Sequence, residues 1–280
     1  MAYAKACRIQ MDNQDCVSGK IVVQKQSEKY LVQNLPAVPL RRQELDEVYK
    51  LPFTRRYHPS YEALGGIPAI EEVKFSIIQN RGCFGGCNFC AIQLHQGRRV
   101  TSRSEASILE EGRRITQDPE FKGYIHDVGG PTANFRMASC AQQMQKGMCA
   151  GGKHCLAPRP CPNLLVSHRE YLGILRKLRQ LPGVKKVFIR SGIRYDYLMA
   201  DPDDTFFKEL VEHHISGQLK VAPEHCAPAT LAYMGKPPVE VFNKFKDKFY
   251  QLTKKAGKKQ YLVPYLMSSH PGSTLKDAVY

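Results

Sequence analysis

No stretch of the 280 residues approaches the roughly 18 consecutive apolar residues that a bilayer-spanning helix needs. The start, Met1-Ala2-Tyr3-Ala4-Lys5-Ala6-Cys7-Arg8, lacks a long apolar run as well, so a secretory signal is not expected. Internal repeats and low-complexity tracts are missing, and an apolar fraction of 42% with 24% charged residues excludes collagen-like and wholly disordered chains. Acidic residues are in deficit: 26 Asp plus Glu stand against 41 Lys plus Arg, a formal charge of +15. Such an excess suits an anionic partner such as nucleic acid, but a solvated basic surface gives the same arithmetic. The expectation is a soluble cytoplasmic protein with no membrane partner, long enough to bury a core without disulfides.

Cysteine is abundant by contrast, with ten residues. In a reducing compartment, metal binding or catalysis explains them better than disulfides do.

Residues 1–72 read as an N-terminal extension. Short β-rich runs at 21–23 and 30–32 suggest a hairpin, and 41–50 a short helix. Pro36, Pro39, Pro52 and Pro59 break up the remainder, and Gly65-Gly66 with Pro68 marks a boundary. From residue 73 strands and helices alternate. Strands are expected at 73–78, 123–128, 184–189, 219–222 and 261–267. Helices are expected from Ser102, with Glu105 completing a capping box, to Gln117, then at 163–180, 203–215 and 239–255, with another starting at Ser273. The pattern is α/β: parallel strands with crossover helices, open or closed into a barrel, whose chemistry gathers at the C-terminal strand ends. The chain stops as a helix begins, which is expected of a fragment.

At the end of the first strand stands Cys83-Phe84-Gly85-Gly86-Cys87-Asn88-Phe89-Cys90. Three thiolates within eight residues can wrap one face of an inorganic cluster, and Gly85-Gly86 allows the tight turn. Three ligands leave one iron of a cubane open, whereas an electron carrier takes four. Zinc, with His95 as fourth ligand, is the competing metal, and buried free thiols the plain alternative.

Cys83-x3-Cys87-x2-Cys90, with Phe89 before the last cysteine, resembles the signature of the radical S-adenosylmethionine (SAM) superfamily. Arg81-Gly82 ahead of it and His95-Gln96-Gly97-Arg98 behind resemble the YgiQ-type branch. So do Tyr57-His58-Pro59, Gly65-Gly66-Ile67-Pro68-Ala69-Ile70, Asp127-Val128-Gly129-Gly130-Pro131-Thr132-Ala133-Asn134, Ser191-Gly192-Ile193-Arg194-Tyr195-Asp196 and Lys220-Val221-Ala222-Pro223-Glu224-His225. The resemblance implies a partial (β/α) barrel at 73–280, truncated before its last strand. It implies a [4Fe-4S] cluster on Cys83, Cys87 and Cys90, cleavage of SAM to a 5′-deoxyadenosyl radical, hydrogen abstraction from a substrate, and an electron donor such as flavodoxin or ferredoxin. Phe89, Gly129, Gly130, Ser191, Arg194 and Glu224 are the implied SAM-binding positions. Pro131 stands where many members carry Glu, and Ser273 where the turn His270-Pro271-Gly272-Ser273-Thr274 resembles Pro-Gly-Glu-Thr. Ordinary turns and surface charges remain the plain alternative at each of these positions.

Cys140, Cys149, Cys155 and Cys161 form a second group, accompanied by Gly147, Gly151, Gly152, Pro158, Pro160 and Pro162. A stretch this poor in apolar residues gains order if its thiolates share a metal, either zinc or a second iron–sulfur cluster, with His154 as a substitute ligand. Free thiols in a loop are the alternative. Cys7, Cys16 and Cys226 are spare.

Lys236, Lys244, Lys246, Lys248, Lys254, Lys255, Lys258 and Lys259 read as a solvated face, with Phe242, Phe245 and Phe249 as the core stripe of their helix. His214 is expected to be packed rather than a ligand. The leading function is a radical SAM enzyme of unknown substrate, RNA among the candidates. The alternative is a zinc-stabilised RNA-binding or structural module.

Overall fold

β-branched and apolar runs pair as short parallel strands. In the computed structural model, which describes residues 1–149 and 154–279, Ser76–Ile78 pairs with Asp127–Gly129, Tyr124–Ile125 with Lys186–Val187, and Gln218–Glu224 with Tyr261–Leu266, all in parallel. Gly151, Gly152 and Tyr280 fall outside the described residues. The register sets Ile77 beside Val128, and both are buried. Phe188 N donates to Ile125 O and Val128 N to Phe188 O, so the first three strand segments are continuous. Beyond them no ladder among the described residues joins Lys186–Val187 to Gln218–Glu224; Ile189 N donates instead to His214 O. The architecture is mixed α/β with parallel strand pairs, and among the described residues the ladders do not close a barrel.

Helices supply the other side of the core. Leu172, Leu175 and Leu178 of the Arg169–Arg179 helix are buried against Ile108 and Ile115 of the Glu105–Thr116 helix. In the Val239–Lys255 helix Phe245 and Phe249 are fully buried, and Phe207 stacks on Phe245 at 5.2 Å. Each such aromatic contributes about 1.5–3 kcal/mol of burial. Lys244 on that helix is exposed, as the stripe requires.

Several elements differ from the periodicity. Ser102 does not cap a helix: it pairs with Asn80 in a short antiparallel ribbon, and its hydroxyl donates to Arg136 O. Ser104 is the cap, accepting from Ser107 N at 3.1 Å. The helix expected at 163–180 begins only at Arg169; ahead of it Leu164 N donates to Cys161 O and Leu165 N to Ser139 O. The helix expected at 203–215 runs over Thr205–Glu209 and widens into a π turn at Leu210–His214. Thr274, rather than Ser273, caps the Leu275–Val279 helix, exchanging hydrogen bonds with Asp277. Helices not anticipated include Ala2–Asp12, Ile70–Val73, Ile92–His95, Ala141–Lys146, Tyr195–Met199 and Pro228–Met234.

Residues 1–72 carry the helix Ala2–Asp12, the hairpin Val22–Gln26 with Lys29–Gln33, and the helix Arg42–Lys50. Leu45 is the buried anchor of that last helix. No helix among the described residues is long and apolar enough to cross a membrane.

His214 is fully buried, and its Nδ1 lies 2.8 Å from Val187 O. Burial pushes its pKa down to about 4. An unfolded histidine titrates near 6.5, so below that pH the unfolded chain binds the extra proton. Stability is therefore fully present above about pH 6.5 and falls as pH drops toward 4; the loss is about 2 kcal/mol by pH 5. Urea unfolding at pH 7.5 and 5 should show this slope, and His214→Gln should flatten it by that amount. An unchanged slope in the variant would refute the assignment.

Candidate metal and cofactor site

The cysteine loop leaves the sheet directly after Ser76–Ile78. The ribbon of Asn80–Arg81 with Thr101–Ser102 ties its base, and Cys83 N donates to Gly97 O at 3.1 Å. Phe84 pins the loop from beneath: it is fully buried, stacked on Phe135 at 3.8 Å and edge-on to Tyr197. With Phe84 held down, Cys83, Cys87 and Cys90 are left half-buried on the open side.

Hydrogen-bond donors converge on the sulfurs. Gly85 N donates to Cys83 Sγ at 3.4 Å, and Thr132 Oγ1 lies 3.4 Å from the same sulfur. Arg194 Nη1 donates to Cys87 Sγ at 3.2 Å. A Cβ on residue 85 would stand 2.7 Å from Arg194 Nη1 and 3.3 Å from Cys83 Sγ, so a side chain there would crowd the guanidinium where it meets the loop. Burial pushes the Cys90 thiol up, and the nearby Cys87, Cys83 and Glu224 add to the effect. Burial acts against the Arg194 charge, but Asp196 and then Cys87 more than offset it, so the guanidinium is held firmly charged.

No three His, Cys, Asp or Glu side chains among the described residues are gathered tightly enough to grip an ion as they stand. The chemistry of the donor set nevertheless fits a thiolate-bound anionic cluster: three thiols on one loop, N–H groups aimed at two of the sulfurs, and a buried cation beside them. His95, the alternative zinc ligand, is exposed at the end of the Ile92–His95 turn.

The implied SAM positions lie at the same strand ends but differ in what they touch. Gly129 closes its strand, and Gly130 abuts Asn80, whose buried Oδ1 has no hydrogen-bond partner. That orphan acceptor fits a ligand that brings a donor, such as an ammonium group. Ser191 gives its hydroxyl to Asp127, which also accepts from Ser191 N at 3.1 Å. Phe89 meets the ring of His270 edge-on at 6.0 Å, which places the 270–274 turn beside the cysteine loop; Ser273 Oγ donates to His270 O within that turn. Glu224 ends its strand with φ +72°, a left-handed conformation that costs a non-glycine residue of order 1 kcal/mol or more and recurs at functional sites.

Lys236 went unrecognised in the sequence, where it reads as one of the surface lysines. It is only 5% exposed, follows the Pro228–Met234 helix, and faces Arg194, Cys87, Asp196 and Glu224. Burial, then Arg194, lowers its pKa. No local signal separates it from its exposed neighbours. Asp196 and Thr132 lay inside the segments singled out above, but nothing local indicated that one would grip Arg194 and the other approach Cys83.

Cys140, Cys149, Cys155 and Cys161 line one cavity of about 500 Å3, together with His154. Burial pushes the Cys155 thiol up, and Cys140 and Cys149 add to it. His154 also packs against the first loop: a Cβ on residue 86 would stand 2.7 Å from its Nδ1. Cys7 and Cys16 are half-buried, and Cys226 is exposed.

Comparison with known proteins returns the Radical SAM N-terminal family over residues 1–76. A UPF0313 protein of Clostridium perfringens (strain ATCC 13124) is 61% identical over 277 residues, 99% of this chain and 42% of that protein. A UPF0313 protein of Clostridium botulinum (strain Okra) is 59% identical over 278 residues, 99% of this chain and 43% of that protein. The chain thus spans about two fifths of the length of these curated relatives. Among solved structures, the radical SAM methyltransferase TsrM from Kitasatospora setae aligns at TM-score 0.43 and 14% identity, over 72% of this chain and 32% of that one.

Proposed function

We propose that this chain, a homologue of the UPF0313 proteins that matches the Radical SAM N-terminal family over residues 1–76, holds a [4Fe-4S] cluster on Cys83, Cys87 and Cys90 and uses it on SAM. When bound, such a cluster supplies the electron that splits the SAM sulfonium into methionine and a 5′-deoxyadenosyl radical, the species that takes hydrogen from substrate. Phe84 anchors the loop that carries the three thiols. Arg194, Thr132 and the Gly85 amide offset the negative charge on two of the sulfurs. The Gly129-Gly130 turn and the Asn80 acceptor are placed to receive an amino group, while Glu224 and Lys236 bring one charge of each sign to the same wall. The buried underside, Phe84 stacked on Phe135, keeps water from reaching the cluster from below. Arg194 donating to Cys87 Sγ carries the reading best, since a buried cation hydrogen-bonded to the sulfur favours the thiolate form in which cysteine is a ligand.

In the same reading the cavity of Cys140, Cys149, Cys155, Cys161 and His154 holds a second metal, zinc or iron–sulfur. The substrate belongs to the whole protein, with RNA among the candidates given the +15 charge. A low-potential donor such as flavodoxin or ferredoxin supplies the electron.

Incubating the anaerobically reconstituted full-length protein with reductant and SAM should yield 5′-deoxyadenosine and methionine by chromatography. Iron-loaded protein that forms neither would overturn the SAM-cleavage reading. A colourless protein that takes up only zinc under the same conditions would instead favour the structural module.

A further inference from the structure

We infer that Arg194 is a positioning residue that raises the reduction potential of the cluster through its hydrogen bond to Cys87, with Asp196 setting how much of its charge the cluster feels. This rests on the cluster reading above.

The guanidinium has little freedom. Its Nη1 reaches Cys87 Sγ at 3.2 Å, its Nε donates to Asp196 Oδ1 at 2.8 Å, and its Nη2 donates to Asp196 Oδ2. Arg194 and Asp196 are 8% and 3% exposed, so solvent screens the pair weakly. Asp196 is fixed in turn by the amide of Tyr197, which donates to its Oδ1 at 3.0 Å. The Arg194 backbone is clamped at both polar atoms: its N–H donates to Asn134 Oδ1 at 2.9 Å, and its carbonyl accepts from Asn134 Nδ2 at 3.2 Å. The guanidinium packs against Gly85, where a Cβ would stand 2.7 Å from its Nη1. An arginine held by its backbone, its counter-ion and the shape of its neighbour is placed on that sulfur and nowhere else.

The consequence is electrostatic. An electron added to the cluster spreads over its sulfurs. A cation and an N–H donor on one of them stabilise the reduced form, and hydrogen bonds to sulfur are among the determinants of iron–sulfur potential. Asp196 opposes this, because a buried carboxylate close by disfavours added negative charge. The two residues therefore have opposite signs, a pattern that a purely structural ion pair does not produce: breaking such a pair from either side lowers stability alike.

The test is the midpoint potential of the reconstituted full-length protein, read by anaerobic spectroelectrochemistry, with iron and sulfide content measured first. Arg194→Gln should shift the midpoint to a more negative value and Asp196→Asn to a less negative one. Arg194→Lys, which keeps the charge but loses the fork, should fall between Arg194→Gln and the wild type. Loaded variants with the wild-type midpoint would overturn the inference, as would both variants shifting in the same direction. Should Arg194→Gln fail to retain iron, Arg194→Lys and Asp196→Asn decide by the same criteria. A wild-type protein that takes up no iron and sulfide would instead bring down the cluster reading itself, which separates the two failures.

Discussion

Replacing Cys83, Cys87 and Cys90 together by alanine should remove the iron and sulfide of the first site and abolish 5′-deoxyadenosine formation. Outer-shell changes at metal sites typically cost about 10–100-fold in affinity, and loss of all three ligands exceeds that. The fold should survive, because the loop is anchored by Phe84 on Phe135 and by the ribbon at its base rather than by the half-buried thiols. Far-ultraviolet circular dichroism checks this point. Cys226→Ala is the matched control: that thiol is exposed, and its loss should leave iron content unchanged. Metal retained by the triple variant would belong to the second cavity and should disappear when Cys140, Cys149, Cys155 and Cys161 are replaced as well. Triple-variant protein that keeps its full iron and its activity would refute the assignment of the catalytic cluster.

The second large effect concerns what holds that loop's strand in place. Glu111 lies inside the molecule between two arginines: Arg103 donates to its Oε2 and Arg55 to its Oε1. Arg103 is fully buried, its Nη1 also donating to Ile78 O at 2.9 Å, and its guanidinium lies 4.1 Å from the centre of the Tyr49 ring. Arg55 reaches Lys74 O at 3.0 Å and Ser76 O at 3.2 Å. One carboxylate thus pairs with two cations gripping the strand that leads into the cysteines. Glu111→Ala leaves both cations without their counter-ion and should cost about 3–5 kcal/mol, read as a lowered urea midpoint. Glu110→Ala, one residue away and paired with exposed Arg113, should stay within about 0.5 kcal/mol. Equal losses in the two variants would show that the buried network contributes nothing special. The same loss should loosen the Ser76–Ile78 strand and lower iron retention at moderate urea.

Local chemistry was legible where residues adjacent in sequence do the work together. The Cys83, Cys87, Cys90 spacing needs no tertiary information, because eight residues and two glycines bring the thiols onto one loop. The Phe stripe of Val239–Lys255 and the leucines of Arg169–Arg179 follow from helical period alone, as does the packed His214 on an apolar helix face. Legibility fails where two local readings fit equally. Ser102 and Ser104 both precede a helix in the way a cap does, and only the pairing of Ser102 with Asn80, 22 positions earlier, takes Ser102 out of contention. The same holds for the lysines: Lys236 looks like Lys244 until the chain turns it inward against Arg194 and Glu224. The sequence by itself determined the alternation of strands and helices and the thiols that can hold a cluster. Only the tertiary structure decided which charges stand around those thiols, because Arg194, Asp196, Glu224 and Lys236 lie more than 100 residues from Cys87 and reach it through the packing of separate strand ends.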